Sequence, residues 1–487
     1  MRSSRQPLAA FVLGAATVGG FAPFGIFFLP FLTLIWLLQA WREASPRRAA
    51  MLGWCFGLGF FLAGVSWVYV SLKVFGGMAM PLAALATLLL CAVLALYPAS
   101  VGYAFARLRS GGPLRDAFLA AGLWTLGEWL RGWLFTGFPW LSIGYSQSPP
   151  SPLAGFAPVF GVYGVGLAAV LVAALAAARR YLALGLLAAL AVAGFLLRSI
   201  AWTHPEGAPL TVALLQGNIP QGLKWDPQRA VLSLQTYAAL AQRHPADLTV
   251  LPETAIPLFF DETPRDLLTD LTQHGPALVG VVVRLREDGQ AEGYTNGAVA
   301  VTRRGDDFSV GAYAKRHLVP FGEYVPPGFA WFFNFVSIPM SDFTAGPAVQ
   351  APLVVAGQKI APTICYEDLF GEELIRALPA ATLLVNLSNT AWFGDSLAQP
   401  QHLQISRMRA LETGRPMLRS TNTGMTAAIG PDGALAGVLE PFTTGALTVQ
   451  VQGYAGVTPF MRYGNTGAVV LALLACAPAL LRRKRGA

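Results

Sequence analysis

Charged residues are scarce in this chain of 487 residues, since Asp, Glu, Lys and Arg together make up only 12% of it. In soluble proteins the charged share is about a quarter, so a wholly soluble protein is not expected. Hydrophobic residues make up 54% and the mean hydropathy is +0.51, which excludes an intrinsically disordered chain. The formal net charge of +8 comes from too few cations to favour a nucleic-acid-binding protein. The composition therefore favours a membrane protein.

Cysteine is also rare, and the chain has only Cys55, Cys91, Cys365 and Cys476. Three of them lie in apolar runs and no pair has the spacing of metal ligands, so neither a disulfide framework nor a metal centre is expected. A Gly-rich phosphate-binding loop is absent as well, and we expect no cofactor. Cys365 is left as the one cysteine of the polar region. It is either a small buried core residue or a nucleophile.

Long apolar runs occupy both ends of the chain. Residues 1–202 are almost continuously apolar, residues 203–460 have the composition of a globular domain, and residues 461–487 combine an apolar run with a basic tail. A helix of about 20 apolar residues crosses a bilayer, and on this criterion we predict eight transmembrane helices. They lie near residues 8–24, 26–41, 51–71, 81–106, 117–135, 159–178, 181–201 and 465–481.

The basic residues indicate how these helices are oriented, because Lys and Arg collect in cytoplasmic loops. The predicted inner segments hold 14 of them, whereas the short outer connections hold only Lys73, Arg131 and Arg198. We therefore expect both termini in the cytoplasm and residues 203–460 on the other side of the membrane. That outer region has 16 Lys and Arg against 23 Asp and Glu, so the positive net charge belongs to the cytoplasmic face.

The outer region alternates strand-like and helix-like stretches, a pattern typical of an α/β domain with a sizeable core. Polar clusters follow three of its apolar runs. The first contains Glu253, the second contains Lys315 and Glu323, and the third contains Cys365. Since side chains at strand ends can converge in space, these clusters are candidates for one active site.

A carboxylate, an ammonium and a thiol suit acyl transfer. A thiol attacks an acyl carbon as the thiolate, and Glu253 could remove the proton of Cys365. The resulting oxyanion could be stabilised by Lys315 and by a backbone N–H near Tyr366, and one such donor is typically worth about 3–4 kcal/mol. Each residue taken singly is more often structural than catalytic. It is the combination that favours catalysis.

The order of these residues resembles the nitrilase (carbon–nitrogen hydrolase) superfamily, whose catalytic residues are Glu, Lys and Cys in that order. Longer motifs resemble one branch, the bacterial apolipoprotein N-acyltransferases. In the polar region these motifs are GNIPQ at 217–221, LPETAIP at 251–257, KRHLVPFGEYVP at 315–326, ICYED at 364–368 and NLSNTAWFGDS at 386–396. In the apolar half they are FAPFG at 21–25, EWLRGWLFTGFPW at 128–140 and GYSQ at 144–147. The resemblance covers nearly the whole chain.

The resemblance implies a fold of two parts. The first is a polytopic α-helical membrane domain with about eight transmembrane helices, seven of them in residues 1–202 and one in residues 461–487. The second is an α/β nitrilase-like α-β-β-α sandwich in residues 203–460, lying outside the cytoplasm. The implied location is the bacterial inner membrane, with the catalytic domain in the periplasm.

The resemblance also implies roles for individual residues. Cys365 would be the nucleophile, Glu253 the general base and Lys315 the oxyanion stabiliser. Glu323 would orient the lysine or the base. Two residues would line the acyl pocket and hold the acceptor, namely Tyr366 and Glu367. Four further residues match motif positions near the site and would contact substrate, namely Trp225, Asn296, Asn389 and Trp392.

By the same resemblance, the enzyme transfers a fatty acyl chain from a glycerophospholipid to the α-amine of the diacylglyceryl-cysteine of an apolipoprotein. This is the last step of lipoprotein maturation, and it would pass through a thioester on Cys365. We expect a monomer that acts on lipids in the bilayer and binds no nucleic acid. Two alternatives stay open. The three residues would equally serve a membrane-anchored amidase, whereas a non-catalytic scaffold for lipoprotein transport would have no need of them.

The aromatic stretch 326–340 is too interrupted to span a membrane. We expect it to form an interfacial arm over the active site, with Trp331, Phe332, Phe333 and Phe335 in contact with lipid. The alternative is a loop buried against the domain.

Glu128 and Arg131 lie three positions apart in the predicted helix 117–135, and therefore on one helix face. Ionisable groups within a membrane helix are generally paired or functional. We expect the two to form an ion pair that fixes helix packing. Contact with the zwitterionic headgroup of a phospholipid is the alternative.

Overall fold

The computed structural model describes residues 5–178, 181–220, 227–287, 290–331 and 342–483. Its contacts divide the chain into two compact units. The first unit comprises Met1–Tyr69, Ala79–Ala201 and Thr458–Ala487, and the second comprises Val70–Met78 and Trp202–Val457.

The described part of the first unit is helical. Its amino-terminal helices are α1 (Gln6–Thr17), α2 (Leu29–Glu43), α3 (Pro46–Val65), α4 (Met80–Leu94), α5 (Leu96–Leu108), α6 (Pro113–Arg131), α7 (Ala157–Ala177) and α8 (Leu182–Arg198). Near the carboxyl terminus it adds the helices Pro459–Tyr463 and Thr466–Arg483. Several helices have proline at their first or second position, and its fixed φ suits the first turn. At α3 the side chain of Ser45 also accepts a hydrogen bond from the backbone N–H of Arg48.

Three of these helical stretches are long and apolar enough to cross a membrane, namely Pro46–Val65, Met80–Leu108 and Pro152–Ala177. They support a membrane domain, but the predicted number of eight transmembrane helices is not confirmed. The predicted first helix, 8–24, is too long, because α1 ends at Thr17 and gives way to a 3₁₀ turn at Val18–Gly20. The glycines and the proline that follow explain this early end.

Glycine allows two helices of the first unit to pack closely. A Cβ on Gly14 would lie 1.9 Å from the backbone oxygen of Phe56, and one on Gly59 would lie 2.0 Å from that of Phe11. Backbone contact of this kind requires the smallest residue at each crossing point. The α1–α3 pair therefore depends on glycine at both positions.

The expected ion pair between Glu128 and Arg131 is wrong, because none joins these two residues in the described part of the chain. Both side chains instead bind the segment that follows α6. Glu128 accepts hydrogen bonds from the indole of Trp124 (3.0 Å) and from the backbone N–H of Ile143 (2.9 Å). Arg131 donates to backbone oxygens of the same segment, including that of Phe138 at 2.6 Å. The two residues thus fix residues 138–143, and their opposite charges attract each other without a direct ion pair.

The second unit is built on two β-sheets. The seven strands of the first sheet are β1 (Thr203–Gln216), β2 (Leu248–Val250), β3 (Ile256–Phe259), β4 (Ala277–Glu287), β5 (Gln290–Arg304), β6 (Asp307–Ala314) and β13 (Gly445–Gly456). The six of the second are β7 (Leu353–Val355), β8 (Gln358–Ile364), β9 (Leu383–Ser388), β10 (Met417–Thr421), β11 (Ala427–Ile429) and β12 (Leu435–Val438). The order in the first sheet is β13-β1-β2-β4-β5-β6, with β3 paired to β4, and the order in the second is β12-β11-β10-β9-β8-β7.

The two sheets pack face to face, and their apolar side chains form one core that includes Val212 and Leu278 of the first sheet and Ile360 and Val385 of the second. Each outer face is covered by helices. The helices Pro227–Arg243 and Arg265–Leu271 cover the first sheet, whereas Gly371–Leu374 and Ala398–Thr413 cover the second. The layers agree with the α-β-β-α sandwich that the family resemblance implies.

This architecture brings the ends of several strands to the same part of the second unit. Glu253 follows β2, Lys315 follows β6, Cys365 follows β8 and Asn389 follows β9. Because β8, β9 and β10 run parallel, the residues that follow them emerge at the same edge of the sheet.

Candidate active site

Lys315 lies between two carboxylates in the interior of the second unit. Its Nζ is 2.8 Å from Oε2 of Glu323 and 3.6 Å from Oε1 of Glu253, and its side chain is only 1% exposed. Burial opposes the charged form of the lysine, but the negative charges of Glu323 and Glu253 raise its pKa above the ordinary value. Lys315 is therefore an ammonium at neutral pH, fixed in position and shielded from water.

The carboxylate of Glu253 is held at both oxygens. Oε1 accepts a hydrogen bond from Nδ2 of Asn296 (2.7 Å), and Oε2 accepts one from the backbone N–H of Asn389 (2.8 Å). The same Asn296 amide donates to Oε1 of Glu323 at 2.9 Å, so it joins the two acids that flank Lys315. The bonds from Asn296 and Asn389 orient the predicted base, whereas their predicted contacts with substrate stay predictions.

Cys365 occupies a sharp turn at the end of β8. Its φ of 53° lies in the left-handed region, which a residue other than glycine rarely adopts. A 3₁₀ turn begins at the cysteine and extends to Leu369. Strained residues of this kind occur preferentially at functional sites.

The thiol of Cys365 is half-buried and lies within the field of the other two predicted catalytic residues. Burial and the charge of Glu253 raise the pKa of this thiol, while Lys315 and Arg419 lower it, and the net effect is upward. The resting cysteine is therefore a neutral thiol, which needs a base before it can attack. The structure thus brings Glu253, Lys315 and Cys365 together, while their catalytic roles stay predictions.

Glu367 joins the turn that carries Cys365 to the segment that follows β6. It accepts hydrogen bonds from the backbone N–H groups of Ile364 (2.7 Å), Arg316 (2.7 Å) and His317 (3.1 Å), and from the hydroxyl of Tyr313 (3.0 Å). Burial, only partly offset by Lys315 and these backbone bonds, raises the pKa of Glu367 to about 7. Glu367 thus holds together the turn that carries Cys365 and the segment that follows β6. Its predicted role in the acyl pocket stays a prediction.

Tyr313 was missed by the sequence reasoning. Its hydroxyl reaches both oxygens of Glu367, at 3.0 and 3.1 Å. The sequence did indicate that Tyr313 lies on the same face as Lys315, because it precedes the lysine by two residues and alternate residues of a strand lie on the same face.

Tyr366 belongs to a small aromatic group beside the turn that carries Cys365. The rings of His317 and Phe370 are stacked at 3.6 Å, and the ring of Tyr366 lies 5.1 Å from Phe370. His317 is also 3.2 Å from Oε1 of Glu373. The group leaves Tyr366 half-buried, which is compatible with the pocket role predicted for it.

Trp392 contacts Val70–Met78, a segment that the contacts assign to the second unit although the residues on either side of it in sequence belong to the first. The rings of Phe75 and Trp392 lie 5.4 Å apart in an edge-on arrangement, and the hydroxyl of Ser71 donates to the backbone oxygen of Trp392 at 2.7 Å. Because Asn389 lies in the same loop, this segment adjoins the loop that holds Glu253. No feature of the sequence had indicated that Val70–Met78 contacts this loop.

Two expectations concern residues that the structure does not describe. Trp225 lies outside the described residues, as do Phe332, Phe333 and Phe335 of the expected arm. Trp331 is described, and 56% of it is exposed. Among the described residues, no group of three or more His, Cys, Asp and Glu side chains has the arrangement of a metal site.

Comparisons with known proteins identify the family. Residues 13–175 match the family model "Apolipoprotein N-acyltransferase N-terminal domain", and residues 211–460 match "Carbon-nitrogen hydrolase". An apolipoprotein N-acyltransferase of Nitrosomonas europaea is 49% identical over 485 residues, which cover 96% of this chain and 95% of the relative. The chain belongs to the apolipoprotein N-acyltransferase family.

Other relatives agree with this assignment. An apolipoprotein N-acyltransferase of Chromobacterium violaceum is 47% identical over 496 residues, covering 98% of this chain and 94% of the relative. Among solved structures, the C. elegans NitFhit protein matches 50% of this chain and 61% of its own, with a TM-score of 0.39 and 15% identity. That structural likeness carries no further conclusion.

Proposed function

We propose that this chain is an enzyme that transfers a fatty acyl chain from a glycerophospholipid to the α-amine of the diacylglyceryl-cysteine of an apolipoprotein. Family membership over almost the whole length supports the activity. The observation that carries the chemistry is the arrangement of Lys315 between Glu253 and Glu323, beside the thiol of Cys365. An ammonium, a base and a nucleophile in this arrangement suit acyl transfer through a thioester.

In the first step, Glu253 takes the thiol proton of Cys365 and the thiolate attacks the ester carbonyl of the phospholipid. The Lys315 ammonium and the backbone N–H that follows Cys365 stabilise the oxyanion. When this intermediate collapses, the ester C–O bond breaks and the glycerol oxygen leaves, taking the proton back from Glu253. The products are lysophospholipid and an acyl-thioester on Cys365.

In the second step, the α-amine of the lipoprotein attacks the thioester. Glu253 removes a proton from the attacking nitrogen, and Lys315 again binds the oxyanion. The C–S bond breaks, an amide forms, and the proton passes from Glu253 to the sulfur of Cys365. A thioester is already activated toward amines, so these residues complete the cycle without a further reactant.

The activity is tested by supplying both substrates to the purified full chain in detergent. Incubation with a phospholipid and a diacylglyceryl-cysteine peptide should yield the N-acylated peptide and lysophospholipid in equal amounts. Replacing the nucleophile in Cys365→Ala should abolish both products, whereas Cys55→Ala, which removes another half-buried cysteine, should not. Release of free fatty acid without the amide would instead identify a hydrolase.

We also propose that the chain acts in the bacterial inner membrane as a monomer, with both termini in the cytoplasm and residues 203–460 in the periplasm. The distribution of basic residues supports this orientation. In a Cys365→Ala background, which removes the half-buried native cysteine of this part, a cysteine placed at an exposed periplasmic position (Glu206→Cys) should react with a membrane-impermeant maleimide in cells with a permeabilised outer membrane. A cysteine placed in a cytoplasmic segment (Arg47→Cys) should not, and the reverse pattern would overturn the orientation.

A further inference from the structure

A buried polar network lies behind the turn that carries Cys365, and the acyl-transfer chemistry makes no use of it. All of its side chains are buried in the second unit. Its members are Asp368, Asn386, Ser388, His402, Ser406 and Arg419. Buried polar groups are costly unless their hydrogen bonds are satisfied, so the contacts of this network indicate what it supports.

Asn386 connects the network to the nucleophile. Its Nδ2 donates hydrogen bonds to the backbone oxygen of Cys365 (3.1 Å) and to the hydroxyl of Thr363 (3.0 Å). Its Oδ1 accepts from the guanidinium of Arg419 (2.9 Å) and from the hydroxyl of Ser388 (2.6 Å). These two donors determine which way the amide is turned. Its NH₂ group must therefore face the carbonyl of Cys365.

Arg419 also reaches the far side of the same turn. Its guanidinium lies 3.4 Å from Oδ2 of Asp368 and 2.8 Å from Nδ1 of His402. Because Nδ1 of His402 accepts from the arginine, the ring proton lies on Nε2, which is 2.6 Å from Oδ1 of Asp368. Burial and the charge of Arg419 lower the pKa of His402, in keeping with this neutral ring. One guanidinium thus fixes both Asn386 and the acid three residues beyond Cys365.

The turn needs this support because the backbone of Cys365 is left-handed, with φ at 53°. A residue with a Cβ leaves that conformation unless its surroundings hold it there. If the turn relaxed, the sulfur would move with the backbone and lose its alignment with Glu253 and Lys315. A displacement of about 1 Å between reacting groups can cost about 100-fold in rate.

We infer that Asn386, oriented by Arg419, is a positioning residue for acylation: its hydrogen bond to the carbonyl of Cys365 keeps the thiol aligned with Glu253 and Lys315. This inference rests on the proposed role of Cys365 as the nucleophile. It adds residues that neither form the oxyanion site nor exchange a proton.

The test compares Asn386→Ala with wild type in the purified full chain, in mixed micelles of detergent and phospholipid. The variant should form acyl-enzyme more slowly, by up to about 100-fold, with an unchanged KM for phospholipid. The matched control is Thr382→Val, at the residue just before β9, which loses a buried hydrogen bond of 2.7 Å to Gln358. The control should acylate at the wild-type rate, and Arg419→Lys should fall between the two because it keeps the charge but not the planar fork.

A wild-type acylation rate in Asn386→Ala would overturn the inference, as would a loss that appears only as a higher KM. An equal loss in Thr382→Val would also overturn it. If Asn386→Ala does not fold, the isosteric Asn386→Asp takes its place, since it removes the donor to the carbonyl of Cys365 and keeps the oxygen that accepts from Arg419; a wild-type rate in that variant contradicts the inference. Undiminished turnover in Cys365→Ala would show instead that the proposed nucleophile is wrong.

Discussion

Lys315 is closer to Glu323 than to Glu253: its Nζ lies 2.8 Å from the first carboxylate and 3.6 Å from the second. Glu323 is therefore the principal counter-ion of the lysine. Its Oε2 also accepts a hydrogen bond from the backbone N–H of Val319 at 2.9 Å, which keeps it in place. This division of contacts fits the proposed roles, in which Glu253 transfers protons while Glu323 holds the ammonium.

Removing the charge of Glu323 should therefore disable the site although Glu253 remains. In Glu323→Gln, Lys315 loses its nearest counter-charge and is free to pair more closely with Glu253. We expect kcat to fall by about 100-fold, measured as amide formation from phospholipid and acceptor peptide. Glu206→Gln, at an exposed position of β1, is the control and should leave kcat unchanged. Normal turnover in Glu323→Gln would contradict the assigned role.

Asn296 should be important for both stability and rate, because its single amide group binds Glu253 and Glu323. Asn296→Ala leaves two buried acids without this donor, a loss of about 1–3 kcal/mol. We expect a lower Tm in detergent together with slower acylation of Cys365. Thr302→Ala, farther along the same strand, should change neither. A variant of Asn296 with an unchanged Tm would disagree with the bonding described.

The raised pKa of Glu367 predicts a pH dependence of stability. The folded chain holds this proton up to about pH 7, whereas an ordinary carboxyl group loses it near 4.5. The contribution of protonated Glu367 to the free energy of unfolding is thus fully present below pH 4.5 and is lost as the pH rises toward 7. Thermal unfolding of wild type and Glu367→Gln across this range should show the steeper decline in the wild type. Parallel curves would argue against a raised pKa.

Phe75 should influence catalysis through the loop that holds Glu253. Its ring packs on Trp392, in the loop whose Asn389 N–H binds the Glu253 carboxylate. An aromatic pair contributes about 0.5–1.5 kcal/mol, so Phe75→Ala should lower kcat by up to about tenfold. The neighbouring Val74 is 62% exposed, and Val74→Ala should behave as wild type. Equal rates in both variants would exclude this coupling.

The expected interfacial arm can be tested at its described residues. Phe329 and Trp331 are 44% and 56% exposed, and their rings lie 6.2 Å apart. Replacing both with serine should slow acylation by phospholipid more than alkylation of Cys365 by a small soluble reagent, because only the lipid needs an apolar surface. An equal decrease in both reactions would mean that these residues do not contact lipid.

The cluster of proposed catalytic residues could be predicted from the sequence because each member stands in a recognisable local pattern. Glu253, Lys315 and Cys365 each follow an apolar strand, and strand ends meet at the edges of sheets. The hydrogen bonds that orient them could not be predicted in this way. Asn389 binds Glu253 across 136 positions of sequence, and such a pairing depends on how the two sheets pack.

For the apolar half of the chain, the sequence predicted the kind of element but not the details. Hydropathy predicted apolar helices, but it could not fix their number or ends, since glycine and proline shorten helices that apolar composition would extend. It also failed at Glu128 and Arg131. Their helical spacing favoured a mutual ion pair, whereas their partners come from residues 138–143, a segment without any regular sequence pattern.

The central claim is that Cys365 carries the acyl group, and intact mass spectrometry tests it most directly. The full chain is mixed with phospholipid in the absence of acceptor, and the modified residue is located by peptide mapping. The account predicts a mass increase of one acyl chain on Cys365 that hydroxylamine removes, that Cys365→Ala lacks and that Cys55→Ala retains. Consumption of phospholipid by wild type without an acyl group on Cys365 would contradict it.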